Sequence, residues 1–174
     1  MPTWTGSFNK AGSPTFNFKL GGPIKGSEQE FEGIIDTGFS GFVSMPIVKA
    51  FPLGLLLAGT TSVTLADGKI SPQLVARGMA TVSDQERIGL VLLQGSSADI
   101  LLGMDFLTKF GRVLFIHPNK KVATLMDQKD VDPIIEEQEK LQAEMDAKAK
   151  SAAEAAPEAP AEPKPVKNNP SATN

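Results

Sequence analysis

From Thr15 to Leu20 the chain alternates between polar and apolar residues, which puts Phe16, Phe18 and Leu20 on one face of a predicted β-strand. Gly21-Gly22-Pro23 ends that strand. The segment Glu30 to Asp36 becomes more apolar toward its end, as a strand entering a core would. Phe42 and Val43 resume the apolar run, and Pro46 interrupts sheet pairing and suits the start of a short helical turn. Ser62 to Leu65 and Ile70 to Val82 flank Asp67-Gly68, a dipeptide suited to the positive φ angles of a tight hairpin. Arg87 to Gln94 and Ala98 to Leu102 read as further strands, and Gly103 to Phe110 as a short helix. Arg112 to Ile116 and Lys121 to Met126 form a final pair around Pro118-Asn119. There is no internal repeat. The pattern is all-β.

Near Asp127 the pattern changes, dividing the chain into a globular part (1–127), a helical extension (128–150) and a tail (151–174). Asp132 suits an N-cap with Pro133 at the first helical position, and Glu136, Glu137 and Glu139 suit the positive end of a helix dipole. The expected helix runs from Pro133 to Ala149, with Ile134, Leu141 and Met145 as a thin apolar stripe. Beyond Ala152 the chain is Ala, Pro, Glu and Lys with almost nothing to bury. Disorder is expected there because chain entropy goes uncompensated.

Composition narrows the chemistry. With 17 basic and 20 acidic residues among 174, the chain has no strong pull toward nucleic acid or an acidic membrane. It contains no cysteine, which removes disulfides, thiol nucleophiles and cysteine zinc sites and fits a reducing compartment. Met1 to Gly6 lacks the basic start and apolar run of a secretory signal. The longest apolar block, Leu53 to Ala58, falls far short of the roughly 20 residues needed to span a bilayer. A soluble, cytoplasmic protein without metal or cofactor is expected. His117 is the only histidine and precedes Pro118 at a turn, so an exposed structural role is expected. Neither a Gly-x-Ser-x-Gly elbow nor a phosphate-cradling glycine loop is present.

One stretch stands apart. The apolar strand Ile34-Ile35 runs into Asp36-Thr37-Gly38 and is answered far along the chain by Ile100-Leu101-Leu102-Gly103. A carboxylate at the end of a buried strand is costly unless it is hydrogen-bonded, paired or used. With the hairpin at Asp67-Gly68, this order and spacing resemble the retropepsin-like family of single-lobe, retroviral-type aspartic proteases across residues 8 to 127. Phe39, directly after the triplet, resembles a microbial branch of that family; most viral members carry alanine there and two-lobed pepsins serine.

The resemblance implies a closed β-barrel with one short helix, and peptide hydrolysis by paired carboxylates. Hydrolysis without a metal or a covalent intermediate needs one group to deprotonate water and another to protonate the carbonyl oxygen or the leaving amine. Two carboxylates sharing a proton do both, because like charges at close range resist double ionisation. This chain has a single Asp-Thr-Gly. The simplest second carboxylate is Asp36 of an identical chain across a two-fold axis, so a homodimer acting on an extended peptide is expected. By resemblance, Asp36 is catalytic, Thr37 and Gly38 brace its loop, and Leu101, Leu102 and Gly103 pack behind it. Ala66, Asp67 and Gly68 form the tip of a flap over substrate, and Phe39, Phe42 and Leu65 are pocket candidates. The alternative is a retropepsin-like dimerisation or peptide-binding module with little or no turnover.

Overall fold

The alternation in the first long strand is realised in β2 (Pro14–Gly21), where Phe16, Phe18 and Leu20 are buried and Asn17 and Lys19 are exposed. The computed structural model describes residues 3–23, 26–64, 68, 70–95 and 99–154. By contact density the chain splits into two units, 1–133 and 134–174.

In the first unit β2 pairs antiparallel with β3 (Gln29–Ile35) along one edge and with β6 (Ile70–Val82) along the other. From β3 the sheet continues through β8 (Leu101–Leu102), β4 (Val43–Pro46) and β7 (Gln85–Gln94), and β7 returns to β6. The ring β2-β3-β8-β4-β7-β6 closes on itself, so the barrel has no free edge in this layer. β5 (Leu56–Thr64) pairs with β6 outside the ring as the second arm of a long hairpin. β1 (Trp4–Phe8) runs beside β2 and carries a small sheet of β10 (Val122–Asp127) and β9 (Arg112–His117).

The closed all-β barrel is therefore present. Its short helices are α1 (Ile47–Ala50), at the helical turn expected from Pro46, and α2 (Met104–Phe110), the expected short helix. Its interior is aromatic. Phe42 lies 5.4 Å from Phe106, which lies 4.7 Å from Phe110, ring centre to ring centre. Leu102 and Val43 are fully buried beside this cluster. The buried Thr15 is satisfied by Glu32 Oε1 at 2.7 Å and by the Ser7 hydroxyl at 2.9 Å.

Several expectations shift. β1 went unread, since Trp4 to Phe8 has too few apolar residues to show alternation. β5 begins at Leu56 rather than near Ser62. A bulge between Leu57 and Gly59 breaks its period, and both Leu56 and Leu57 are exposed. The third helix, α3 (Gln128–Glu154), starts ahead of Pro133. Asp127 Oδ1 accepts the Lys129 N–H at 3.1 Å and does the capping expected of Asp132, while Pro133 sits inside the helix. Asp127 also faces the buried Arg112 at 3.9 Å, and the Arg112 guanidinium lies 3.9 Å from the centre of the Trp4 ring. These contacts join β1, β9 and the start of α3. His117 is half-buried rather than exposed, its Nδ1 accepting the Lys120 N–H at 3.4 Å.

The second unit continues α3, in which Gln142 Nε2 donates to Asp146 Oδ1 at 2.9 Å, an i,i+4 pair. The tail beyond Glu154 lies outside the described residues. Among the described residues no helix is long and apolar enough to cross a membrane.

Candidate active site

β3 delivers Asp36. Ile34 and Ile35 pair in parallel with Leu101 and Leu102, and the Asp36 N–H donates to Leu102 O at 3.0 Å as the last rung of that ladder. The chain then turns through the exposed Thr37 and Gly38, with Phe39 N–H donating to Asp36 O at 3.1 Å. Gly38 N–H donates to Asp36 Oδ1 at 2.9 Å. Among the described residues this is the carboxylate's one hydrogen bond, so a half-buried acid keeps most of its lone pairs free for water or a second group.

β3 and β4 are not neighbours, since β8 lies between them, and the loop 36–42 bridges the gap. The start of α2 fastens that loop. Met104 N–H donates to Phe39 O at 2.8 Å, Asp105 N–H lies 3.2 Å from Gly41 O, and Gly103 N–H donates to Phe42 O at 3.1 Å. The first N–H groups of a helix have no partner within the helix, and here the loop supplies the acceptors. Gly103 has to be glycine. A Cβ there would lie 2.2 Å from Gly41 O and 2.4 Å from Phe39 O.

A cavity of about 910 Å³ opens beside this loop, lined from Gly38 through Phe42. Its other walls are Thr61, Ser62 and Val63 of β5, Val75 and Arg77 of β6, Ile88 to Leu90 and Leu92 of β7, and Asp105 and Lys109 of α2. Lys109 Nζ pairs with Asp105 Oδ1 at 3.6 Å.

The structure thus brings Asp36, Thr37 and Gly38 together with Leu102 and Gly103, while Leu101 is half-buried between Ile34 and Ser44. Phe39 and Phe42 line the cavity, although Phe42 is almost wholly core. Gly68 has φ +81° and no atom near its Cβ position, in keeping with a turn. Ala66, Asp67 and Leu65 lie outside the described residues. The sequence reading missed Arg77, Ile88, Leu90, Asp105 and Lys109. Their period of two on β6 and β7 was a usable signal, but which face meets the cavity depends on the register of Arg77 with Leu90. Among the described residues no group of His, Asp and Glu could hold a metal ion.

No protein-family model matches the chain, and no curated protein matches it. Among solved structures, one match is the crystal structure of a retropepsin-like aspartic protease from Rickettsia conorii. It is 17% identical with a TM-score of 0.43, and the match covers 71% of this chain and 90% of that one.

Proposed function

We propose that the chain is an aspartic endopeptidase of the retropepsin-like kind, working as a homodimer in which Asp36 and Asp36 of the partner subunit share a proton. The observation that carries this reading is a carboxylate held by its backbone in a braced loop, with one hydrogen bond to its side chain among the described residues, where the following residues Gly38 to Phe42 line a cavity of about 910 Å³. In the proposed reaction the ionised carboxylate takes a proton from water, and the water oxygen attacks the peptide carbonyl carbon. The protonated carboxyl gives its proton to the carbonyl oxygen. Collapse of the tetrahedral species passes a proton to the leaving nitrogen and breaks the C–N bond. Gly38 and Thr37 hold the turn, Leu101, Leu102 and Gly103 fix it from behind, and the hairpin tip at Ala66, Asp67 and Gly68 closes over substrate. An extended peptide pairs with the hairpin backbone and places side chains in the cavity.

The test is cleavage of a mixed peptide library across acidic and neutral pH by the full chain and by Asp36→Asn. Wild-type turnover that falls at least about 10³-fold in the variant supports the reading. Undiminished hydrolysis by folded Asp36→Asn removes Asp36 from the reaction. Binding of a pepstatin-type inhibitor without any turnover favours a peptide-binding module instead.

A further inference from the structure

Arg77 places a positive charge in the wall of this cavity, and among the described residues no carboxylate pairs with it. The other cation there, Lys109, already has Asp105 at 3.6 Å. Among the described residues the exposed Arg77 side chain has no hydrogen bond or ion pair, and its cross-strand neighbours are Leu56 on β5 and Leu90 on β7. On its own strand the next residue on the same face is the buried Val75, which also lines the cavity together with Ile88 and Leu92. Beside Arg77 the wall is apolar, formed by Val75, Ile88, Leu90 and Leu92, while Thr61, Ser62, Asp105 and Lys109 supply polar groups elsewhere in the lining.

We infer that this cavity selects a peptide side chain ending in a carboxylate, glutamate or aspartate, with Arg77 as the specificity-determining residue. The inference rests on the peptide-cleft reading above. A peptide lying in the cavity strips water from the guanidinium. A neutral side chain then leaves a desolvated cation uncompensated, a lysine adds repulsion, and a carboxylate restores two charge-assisted hydrogen bonds in a geometry that guanidinium matches. The apolar walls meet the methylene groups of the same side chain. Discrimination thus comes as much from the penalty on wrong side chains as from attraction to the right one.

The experiment uses peptide libraries with both ends blocked, in which one position at a time is fixed as Glu, Gln or Lys. Cleavage is measured with the full wild-type chain, and binding with the full-length Asp36→Asn chain, so selectivity is read whether or not turnover occurs. At one position Glu is expected to exceed Gln by about tenfold, and the ratio should shrink as salt rises. Arg77→Gln should bring the ratio to about one, and Arg77→Glu should turn the preference to Lys. A series with free C-terminal carboxylates separates side-chain recognition from capture of a chain end. Preference that appears only in that series overturns the inference.

Cleavage lost in Asp36→Asn but blind to Glu, Gln and Lys at every position overturns the role of Arg77 and leaves the protease reading standing. Arg77-dependent Glu binding without turnover by the wild type does the reverse. An unchanged Glu preference in folded Arg77→Gln also removes Arg77.

Discussion

The Asp36 loop and the β5–β6 hairpin line the same cavity, yet they are held in opposite ways. The loop is fixed by backbone bonds from residues far along the chain, Leu102 to Asp105, and is backed by the buried Phe42 and Phe106. Among the described residues β5 pairs with β6 alone; it is exposed along most of its length and carries a bulge at Gly59, where no atom lies within 4 Å of a Cβ position. A group whose position the chemistry depends on is tied through the core. β5, which under the proposed function belongs to the element that admits substrate, stands on one ladder, which places it at the low-stability end of the molecule.

This contrast can be broken by mutation. Phe42→Ala removes a ring that touches both Phe106 and Phe110, and should destabilise the fold by about 3–5 kcal/mol in urea unfolding. Gly103→Ala forces a Cβ into two carbonyl oxygens. It should lower stability by roughly 2–4 kcal/mol and reduce cleavage further than stability alone explains, because the loop that carries Asp36 must move. A cost near zero at Gly103 would mean the loop is not fixed as described. Gly59→Ala meets no atom, but φ is +126°, so only backbone strain opposes it, and about 1 kcal/mol is expected. Phe51 is 87% exposed, and Phe51→Ala should stay within about 0.5 kcal/mol. Native-state hydrogen exchange sharpens the same contrast: the Asp36 and Gly103 amides should exchange only with global unfolding, and those of β5 through local opening.

Much of the barrel was readable because single-face burial writes itself as alternation. Phe16, Phe18 and Leu20 gave β2, and Ile70 to Val82 gave β6 with its observed bounds. The candidate loop was readable as far as its pattern is local: an acid after Ile34-Ile35, and an apolar pair before Gly103. What failed was non-local. Leu56 and Leu57 face solvent, so hydrophobicity does not mark their strand. The α3 start depends on Asp127, whose partner Arg112 lies at the other end of the β9–β10 hairpin in sequence. Arg77 shows itself as a cavity residue only once β5, β6 and β7 are set in register.

The central claim is that one carboxylate from each of two chains makes a single centre, and subunit mixing tests it most directly. Wild-type and Asp36→Asn chains are refolded together in varied ratio, and cleavage is measured per wild-type chain. If the centre is shared, activity per wild-type chain falls in proportion to the wild-type fraction, because mixed dimers are inactive. Activity per wild-type chain that stays constant across the series would mean that each chain works alone, contradicting a dyad across a two-fold axis.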